Sequence, residues 1–299
     1  MTTRSSTPDS VGLTPTRQPR VCAASPRPFT LAAERCPCRL TAGLGRNINV
    51  VDPDNAPISA SDNGHYADPS VICRPLERDE IVVIVQRFKE AAARCAEAGI
   101  DAIDIHGHTG YLIDQFLSPL WNRRTDEYGG SVENRCRFAT EIIAAVKEGA
   151  PGLPVSFRLS VDHRFEGGRT PAESLEIAKV LEAAGLDMLM VDEGSYEAMD
   201  YVFPPYYLGD NCMMDSVRDF TEALSIPVLG CGNLTPERAE SAIASGEMAF
   251  AGIGRALIAD PQWAAKARSG RARQHSPLHP LQPGCAWATR LWASHSAAR

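Results

Sequence analysis

Short apolar runs and amphipathic helical patterns alternate along the chain from Ile100 onward. This alternation is typical of βα units and predicts a parallel sheet covered by helices. Residues 79–98 carry apolar side chains at the spacing of one buried helix face. The apolar runs predict five strands, at residues 100–105, 154–161, 186–191, 227–230 and 248–253.

Local signals mark where the helices begin and end. Thr170 and Glu173 have the spacing of a capping box, with a proline at the first helical position. Thr235 begins another helix in a similar way. Gly99 and Gly185 stand where helices are expected to stop.

The strand count falls short of a closed barrel. Residues 38–44 predict a sixth strand, whereas a closed (β/α)8 barrel needs eight. The missing two should precede Cys38, but residues 1–37 are rich in Pro, Ser, Thr and Arg, a composition typical of irregular or disordered segments. The sequence therefore predicts an α/β fold, an incomplete (β/α)8 TIM barrel whose first two strands are not recognisable.

Composition limits the partners and the cellular location that we expect for the protein. The chain has 299 residues, 44% of them apolar, which is enough for one large core. Its formal net charge of −7 does not indicate the positively charged surface that binds nucleic acid, so we expect no nucleic-acid partner. No run approaches the ~18 apolar residues of a membrane span, and the N-terminal residues lack the apolar core of a secretory signal. With nine cysteines and no sign of a disulfide framework, we expect a cytoplasmic protein with no membrane partner.

The stretch 105–119 carries the strongest chemical signal. An apolar strand at 103–105 leads directly into two imidazoles, a hydroxyl and a phenol. A strand end that delivers several proton-handling groups is how a (β/α)8 barrel builds an active site. Residues 122–135 follow, reading Asn-Arg-Arg-Thr-Asp-Glu-Tyr-Gly-Gly-Ser-Val-Glu-Asn-Arg, and predict a loop locked by ion pairs and helix capping.

Together these two motifs closely resemble the old yellow enzyme family of FMN-dependent oxidoreductases, and the resemblance covers about residues 40–268. Within that family the chain looks most like the branch of 2,4-dienoyl-CoA reductase and trimethylamine dehydrogenase. The resemblance implies an FMN-binding TIM-barrel domain over residues 38–270. It also implies hydride transfer from NAD(P)H, through FMN, to an activated C=C bond of a small-molecule substrate.

The resemblance also assigns catalytic roles to three residues. His106 matches the histidine that faces the flavin and donates a hydrogen bond to the substrate, although a lone histidine at a strand end is more often structural. Thr109 occupies the position of the family's second donor, usually Asn or His, and has only one hydrogen to donate, so it leaves the choice of substrate open. Tyr111 matches the proton donor, since a phenol is protonated near neutral pH; the alternative is a tyrosine whose ring only packs.

Two histidines separated by one glycine could also suggest a metal site. His106 and His108 have no Asp, Glu or Cys at metal-ligand spacing beside them. No metal site is therefore predicted. His108 is expected to hold the neighbouring active-site residues in position.

Basic and glycine-rich positions suggest where the cofactor binds. Arg158 lies in an otherwise apolar strand and needs a partner; in the family the matching arginine binds near the flavin's pyrimidine edge, and the alternative is an ion pair inside the barrel. Glycine-rich turns after the seventh and eighth barrel strands favour a phosphate site. The resemblance implies that they hold the FMN phosphate; the alternative is a phosphorylated substrate of another barrel enzyme. The residues predicted to bind the cofactor are Arg158, Gly230, Gly232, Asn233, Gly254 and Arg255.

Two parts of the chain depart from the family pattern. Residues 39–47 match the family's third strand only in part, since Arg39 stands where the family has a glutamine. The family branch carries a [4Fe–4S] cluster after the barrel, held by a Cys-x-x-Cys-centred motif, but residues 277–284 contain no such cysteine ligands. One permitted codon choice for these residues, read one nucleotide later, restores such a motif. We therefore hypothesise that residues 271–299 are an irregular tail, frameshifted after about Arg271.

Three functions remain open from the sequence. The first is an active FMN-dependent reductase that uses NAD(P)H. The second is an inactive fragment whose flavin site is incomplete. The third is an amine dehydrogenase or demethylase on the same flavin barrel, which the Thr109 departure leaves open. Because two strands that contribute cofactor contacts are not recognisable, we expect weak or absent flavin.

Overall fold

Six strands form the main sheet of the computed structural model, which describes residues 35–48 and 56–271. Every neighbouring pair in this sheet is parallel, and the strands stand in the sheet in the same order as along the chain. The strands are β1 (Pro37–Leu40), β4 (Ala102–Gly107), β5 (Val155–Asp162), β6 (Met188–Glu193), β7 (Val228–Gly230) and β8 (Phe250–Ala251). A separate two-stranded parallel pair, which the sequence did not predict, consists of β2 (Ile58–Ser59) and β3 (Arg74–Pro75).

Helices connect the successive strands of the main sheet. This is the βα repeat of a (β/α)8 barrel, so the described residues contain six barrel strands and confirm the predicted incomplete barrel. All six predicted strands are present, with their ends displaced by a few residues. The helices are α1 (Arg78–Glu97), α2 (Leu112–Leu117), α3 (Val132–Gly149), α4 (Pro171–Ala183), α5 (Met199–Val202), α6 (Met214–Ala223), α7 (Pro236–Ala244), α8 (Arg255–Ala259) and α9 (Trp263–Arg268).

The first long helix buries the face that its periodicity predicts. In α1 the fully buried residues recur every three or four positions, and α1 packs against α3. Burying each large aliphatic side chain contributes roughly 1.5–3 kcal/mol to stability, so this face fixes the helix against its neighbours. The buried residues of α1 are Ile81, Ile84, Phe88, Ala92 and Cys95.

Helix ends follow the predictions at most positions. Gly99 and Gly185 have φ of +75° and +93° just after α1 and α4, where a residue with a side chain would be strained. The Thr235 hydroxyl accepts a hydrogen bond from the Arg238 backbone N–H, at 3.2 Å, and so caps α7. The capping box predicted at Thr170 is wrong. Thr170 precedes α4 but makes no side-chain capping bond, and the Glu173 carboxylate pairs with Arg135.

The charged loop 122–135 has the locked structure that its composition predicts. The Arg124 guanidinium pairs with Asp126 at 2.6 Å and donates to the Leu76 carbonyl at 2.6 Å. The Ser131 hydroxyl accepts from the Asn134 backbone N–H at 3.3 Å and begins α3. The loop therefore connects the entry of α1 to the entry of α3.

Several predictions concern parts of the chain outside the described residues. The segment 1–37, predicted to be irregular, is described only from Arg35, and the tail 271–299, hypothesised to be frameshifted, lies outside the described residues after Arg271. None of the described helices is long and apolar enough to cross a membrane. Within residues 35–48 and 56–271, no group of three or more His, Cys, Asp or Glu side chains could hold a metal ion. The seven cysteines in those ranges are free thiols.

Candidate active site

The carboxyl end of β4 delivers the two groups at the centre of the site. His106 is the penultimate residue of β4, and Tyr111 is the N-cap of α2, four residues beyond the strand. Their rings stack with centroids 4.9 Å apart and an interplanar angle of 18°. The strand therefore brings an imidazole and a phenol to one place at the barrel mouth, as the motif predicts.

His106 is a neutral hydrogen-bonding group. Burial, reinforced by the neighbouring His108, lowers the pKa of His106 to about 3. At neutral pH the ring therefore carries one N–H donor and one acceptor nitrogen. Its Nδ1 atom is buried and has no partner among the described residues. Because a buried polar atom without a partner costs free energy, this nitrogen indicates a place for a ligand.

The Thr109 hydroxyl is bonded to His108. His108 is fully buried, its Nε2 lies 3.1 Å from the Glu193 carbonyl oxygen, and its Nδ1 contacts the Thr109 hydroxyl. A neutral His108 that donates from Nε2 must accept at Nδ1, so Thr109 donates its only hydroxyl proton to His108. The structure therefore does not present Thr109 as a free donor beside His106, and its predicted catalytic role stays a prediction.

A buried charge cluster beneath the loop holds these residues in place. Asp114, in α2, accepts a hydrogen bond from the Gly110 backbone N–H at 2.7 Å and pairs with Arg169 at 2.8 Å. His163 lies 3.4 Å from the same carboxylate, and all three side chains are fully buried. Arg169 keeps the pKa of Asp114 well below its usual range in spite of burial. This cluster was not predicted from the sequence, although an aspartate within the apolar run of α2 required a buried partner.

Arg158 stands beside His106 in the sheet. The two residues are register partners on β5 and β4, and the Arg158 side chain is 20% exposed. Its guanidinium donates from Nε to the Asp192 carboxylate at 2.7 Å, and Nη2 contacts the same oxygen. The structure thus shows the ion pair inside the barrel that the sequence offered as the alternative. A flavin contact by Arg158 stays a prediction.

The two turns predicted to bind phosphate lie side by side. Arg255 donates from Nη2 to the Asn233 side-chain oxygen at 2.6 Å, which joins the turn after β7 to the turn after β8. Gly232 and Asn233 both have positive φ, at +99° and +52°. Gly254 is exposed and has open space around it.

Gly230 has a packing reason for lacking a side chain. A Cβ atom there would come within 2.9 Å of Met248 and Val217. Core packing alone therefore accounts for this glycine, and its contact with a cofactor stays a prediction.

Further polar groups at the strand ends were not predicted from the sequence. Asp192 closes the ion pair with Arg158, and Tyr196 lies beside Tyr111. Both lie at or just beyond the carboxyl end of β6. There the sequence Val-Asp-Glu-Gly-Ser-Tyr repeats the pattern of β4, an apolar strand followed by polar residues. That pattern is the signal that could have identified them.

Comparison with known proteins identifies one family model and similar oxidoreductases. A family model described as the NADH:flavin oxidoreductase / NADH oxidase family matches residues 42–274. The chain is 42% identical over 247 residues to an NADH oxidase of Thermoanaerobacter brockii, covering 82% of this chain and 37% of that protein. It is 34% identical over 277 residues to a cinnamate reductase of Clostridium sporogenes, covering 87% of this chain and 42% of that protein. It therefore spans less than half of the length of either relative.

A solved structure shares the fold as well. Histamine dehydrogenase from Rhizobium sp. 4-9 superposes with a TM-score of 0.74 at 29% sequence identity. The superposition covers 82% of this chain and 36% of that chain.

Proposed function

This chain belongs to the NADH:flavin oxidoreductase / NADH oxidase family, and from that premise we propose that it acts as an FMN-dependent oxidoreductase, moving hydride from NAD(P)H to an activated C=C bond. The observation that carries the proposal is the stacked pair of His106 and Tyr111 at the end of β4. A neutral imidazole with an unsatisfied nitrogen and a partly exposed phenol are the groups needed to polarise an acceptor and protonate it.

The described residues fit a flavin at its two polar ends. The joined turns at Asn233 and Arg255 offer an arginine and sharply turned backbone for the FMN phosphate, with Gly232 and Gly254 beside them. Arg158, next to His106, offers a fixed positive charge for the pyrimidine edge, while Asp192 holds the guanidinium in position. The chemistry that FMN supplies when bound is two-electron hydride transfer; the protein supplies orientation and electrostatics.

His106 and Tyr111 have different roles toward the substrate. The His106 N–H donates a hydrogen bond to the carbonyl oxygen conjugated with the C=C bond, which makes the distal carbon a better hydride acceptor. Tyr111 gives its phenolic proton to the other carbon, and Asp114 holds the loop between them through Gly110. A relative named cinnamate reductase supports an enoate-type acceptor, and a relative named NADH oxidase supports a nicotinamide nucleotide as the hydride donor.

Half-reaction kinetics test the proposal. Because flavin binding is expected to be weak, the purified protein is supplied with excess FMN; NADPH should then bleach the flavin absorbance, and a cinnamate-type acceptor should restore it. Tyr111→Phe should slow the restoring step by ~10²–10⁴-fold, because the proton donor is lost, while bleaching by NADPH keeps its rate. Equal restoring rates in both proteins would rule out the role of Tyr111.

A pair of matched variants tests whether Arg255 binds the FMN phosphate. Arg255→Gln should weaken FMN binding about tenfold or more, because a charge-assisted contact to phosphate is lost. Arg218→Gln removes an exposed arginine that pairs with Asp215 and should leave FMN affinity unchanged. Equal affinities for the two variants would contradict the assignment.

A second candidate is an amine dehydrogenase or demethylase on the same barrel. The superposition on histamine dehydrogenase favours it, and Thr109 is consistent with an altered substrate. Flavin that an amine bleaches and NADPH does not would select this candidate. A chain that binds no FMN at saturating concentration would select the inactive fragment.

A further inference from the structure

A second phenol lies against the predicted proton donor. Tyr196 opens the 3-10 helix Tyr196–Ala198, which follows β6, and it is 6% exposed. Its hydroxyl oxygen lies 3.4 Å from the hydroxyl oxygen of Tyr111, and the two ring centroids are 5.9 Å apart. Tyr196 thus reaches Tyr111 from a loop 85 positions away along the chain.

The surroundings of Tyr196 hold it in that position. The Tyr66 and Tyr196 rings pack edge to face, with an interplanar angle of 82° and centroids 5.0 Å apart. The Tyr66 hydroxyl donates to the Tyr196 backbone carbonyl at 2.9 Å. Next along the chain, Glu197 pairs with Arg46 at 2.7 Å, and Ser195 pairs with Thr109 in a parallel bridge. A phenol fixed at its ring, backbone and both neighbours is preorganised for one contact.

Either hydroxyl could donate in this contact, and burial keeps a proton on Tyr196 for that purpose. Burial raises the pKa of Tyr196 well above its usual range, so its hydroxyl keeps its proton at any physiological pH. Each phenol has a single proton to donate. If Tyr196 donates to the Tyr111 oxygen, the Tyr111 proton is free to point at the substrate.

We propose that Tyr196 is a positioning residue that donates a hydrogen bond to the Tyr111 oxygen and directs the Tyr111 proton toward the acceptor carbon. The inference rests on the proposed reductase function. In the protonation step the Tyr111 O–H bond breaks and a C–H bond forms on the carbon that did not receive hydride. The Tyr196 hydroxyl stabilises the Tyr111 phenolate that remains, and solvent water then returns a proton to Tyr111. A contact of 3.4 Å in the free site is expected to shorten when this charge develops.

A double-mutant cycle tests the contact without any cofactor. Tyr196→Phe keeps the ring and removes the hydroxyl, so it should lower the urea midpoint of unfolding in the unsubstituted chain. In a chain that already carries Tyr111→Phe, the same substitution should have a much smaller effect. Tyr207→Phe is the matched control: its hydroxyl donates to Asp200, so its effect should add to that of Tyr111→Phe. Additive effects of Tyr196→Phe and Tyr111→Phe would overturn the proposal.

Half-reaction kinetics test the positioning role on the FMN-loaded chain. Tyr196→Phe should slow reoxidation by a cinnamate-type acceptor about tenfold, the effect of one lost hydrogen bond to a charged oxygen, and increase the solvent isotope effect. Bleaching by NADPH and the acceptor's KM should stay unchanged, as should every rate in Tyr207→Phe. An unchanged reoxidation rate would overturn the proposal. If NADPH fails to bleach even the unsubstituted chain, the proposed function fails, and the unfolding cycle then decides alone whether Tyr196 positions Tyr111.

Discussion

The backbone at Thr109 adopts a left-handed conformation, with φ of +66°. A β-branched residue is strained there, whereas Asn and His tolerate this region better. Functional loops store such strain when their surroundings fix them, as the Asp114 cluster and the His108 contact do here. This gives a conformational reason for the Asn or His that the family resemblance implies at position 109.

Replacing Thr109 with Asn should therefore stabilise the chain. We expect Thr109→Asn to raise the free energy of unfolding by roughly 0.5–1 kcal/mol, measured by urea unfolding. Thr41→Asn is the control: Thr41 is exposed and accepts from the Gly43 backbone N–H, which an asparagine can also do. A stabilisation of equal size in both variants would show that strain at 109 is not its source.

The buried histidines should make the protein sensitive to acid. Burial lowers the pKa of His108 to about 4, well below the ordinary value of 6.5. As the pH falls through 6.5 the unfolded chain binds a proton, but the folded chain does not until about pH 4, so stability is lost across that interval. At about pH 5 the loss for His108 is roughly 2 kcal/mol.

Urea unfolding at about pH 7.5 and about pH 5 checks this expectation. His108→Gln can still donate to the Glu193 carbonyl but does not titrate. Its free energy of unfolding should fall less between the two pH values than that of the unsubstituted chain. Parallel losses would mean that His108 is protonated in the folded state.

At the scale of elements, neighbouring strands dictate the glycine of the His-Gly-His motif. A Cβ atom at Gly107, in β4, would lie 2.2 Å from the ring of Phe157, in β5. Phe157 is fully buried, so the ring has little freedom to move. The glycine between the two histidines is therefore a packing requirement between two strands.

The substitution Gly107→Ala should accordingly disrupt the β4–β5 contact. We expect a loss of roughly 1–3 kcal/mol in the free energy of unfolding, typical of overpacking in a core. Gly254→Ala places the same methyl group in open space and should change that free energy little. Thermal and urea unfolding of both variants measure the difference; similar stabilities would mean that Phe157 moves aside.

For the whole molecule, the protection of backbone amides from hydrogen exchange should decrease from the middle of the sheet to its edges. In the described residues β1 pairs only with β4 and β8 pairs only with β7, while β5 is paired on both sides and almost wholly buried. Phe250, in β8, is 50% exposed. Elements with few buried contacts open at the lowest cost.

Hydrogen exchange followed by mass spectrometry measures this gradient. Amides of β5 and β6 should exchange at least about tenfold more slowly than those of β1 and β8. Peptides from α1 serve as an internal reference, because that helix buries one continuous face. Uniform protection across the six strands would show that the edges are covered.

Most of the fold was predictable because its signals are local. The six barrel strands, the buried face of α1 and the helix stops at Gly99 and Gly185 depend on periodicity and backbone conformation within a few residues. The small pair of β2 and β3 was not predicted, since each strand has only two residues. The capping box predicted at Thr170 is absent, and Glu173 pairs with a distant arginine, Arg135.

The sequence by itself determined the order of βα units, the family, and the identity of His106 and Tyr111 as neighbouring groups on one strand end. Those depend on hydrophobic spacing and on residues close together in the chain. Only the tertiary structure decided which polar groups meet: Arg158 with Asp192, and Tyr111 with Tyr196. These partners lie 34 and 85 positions apart, so strand register and packing, which no local pattern encodes, bring them together.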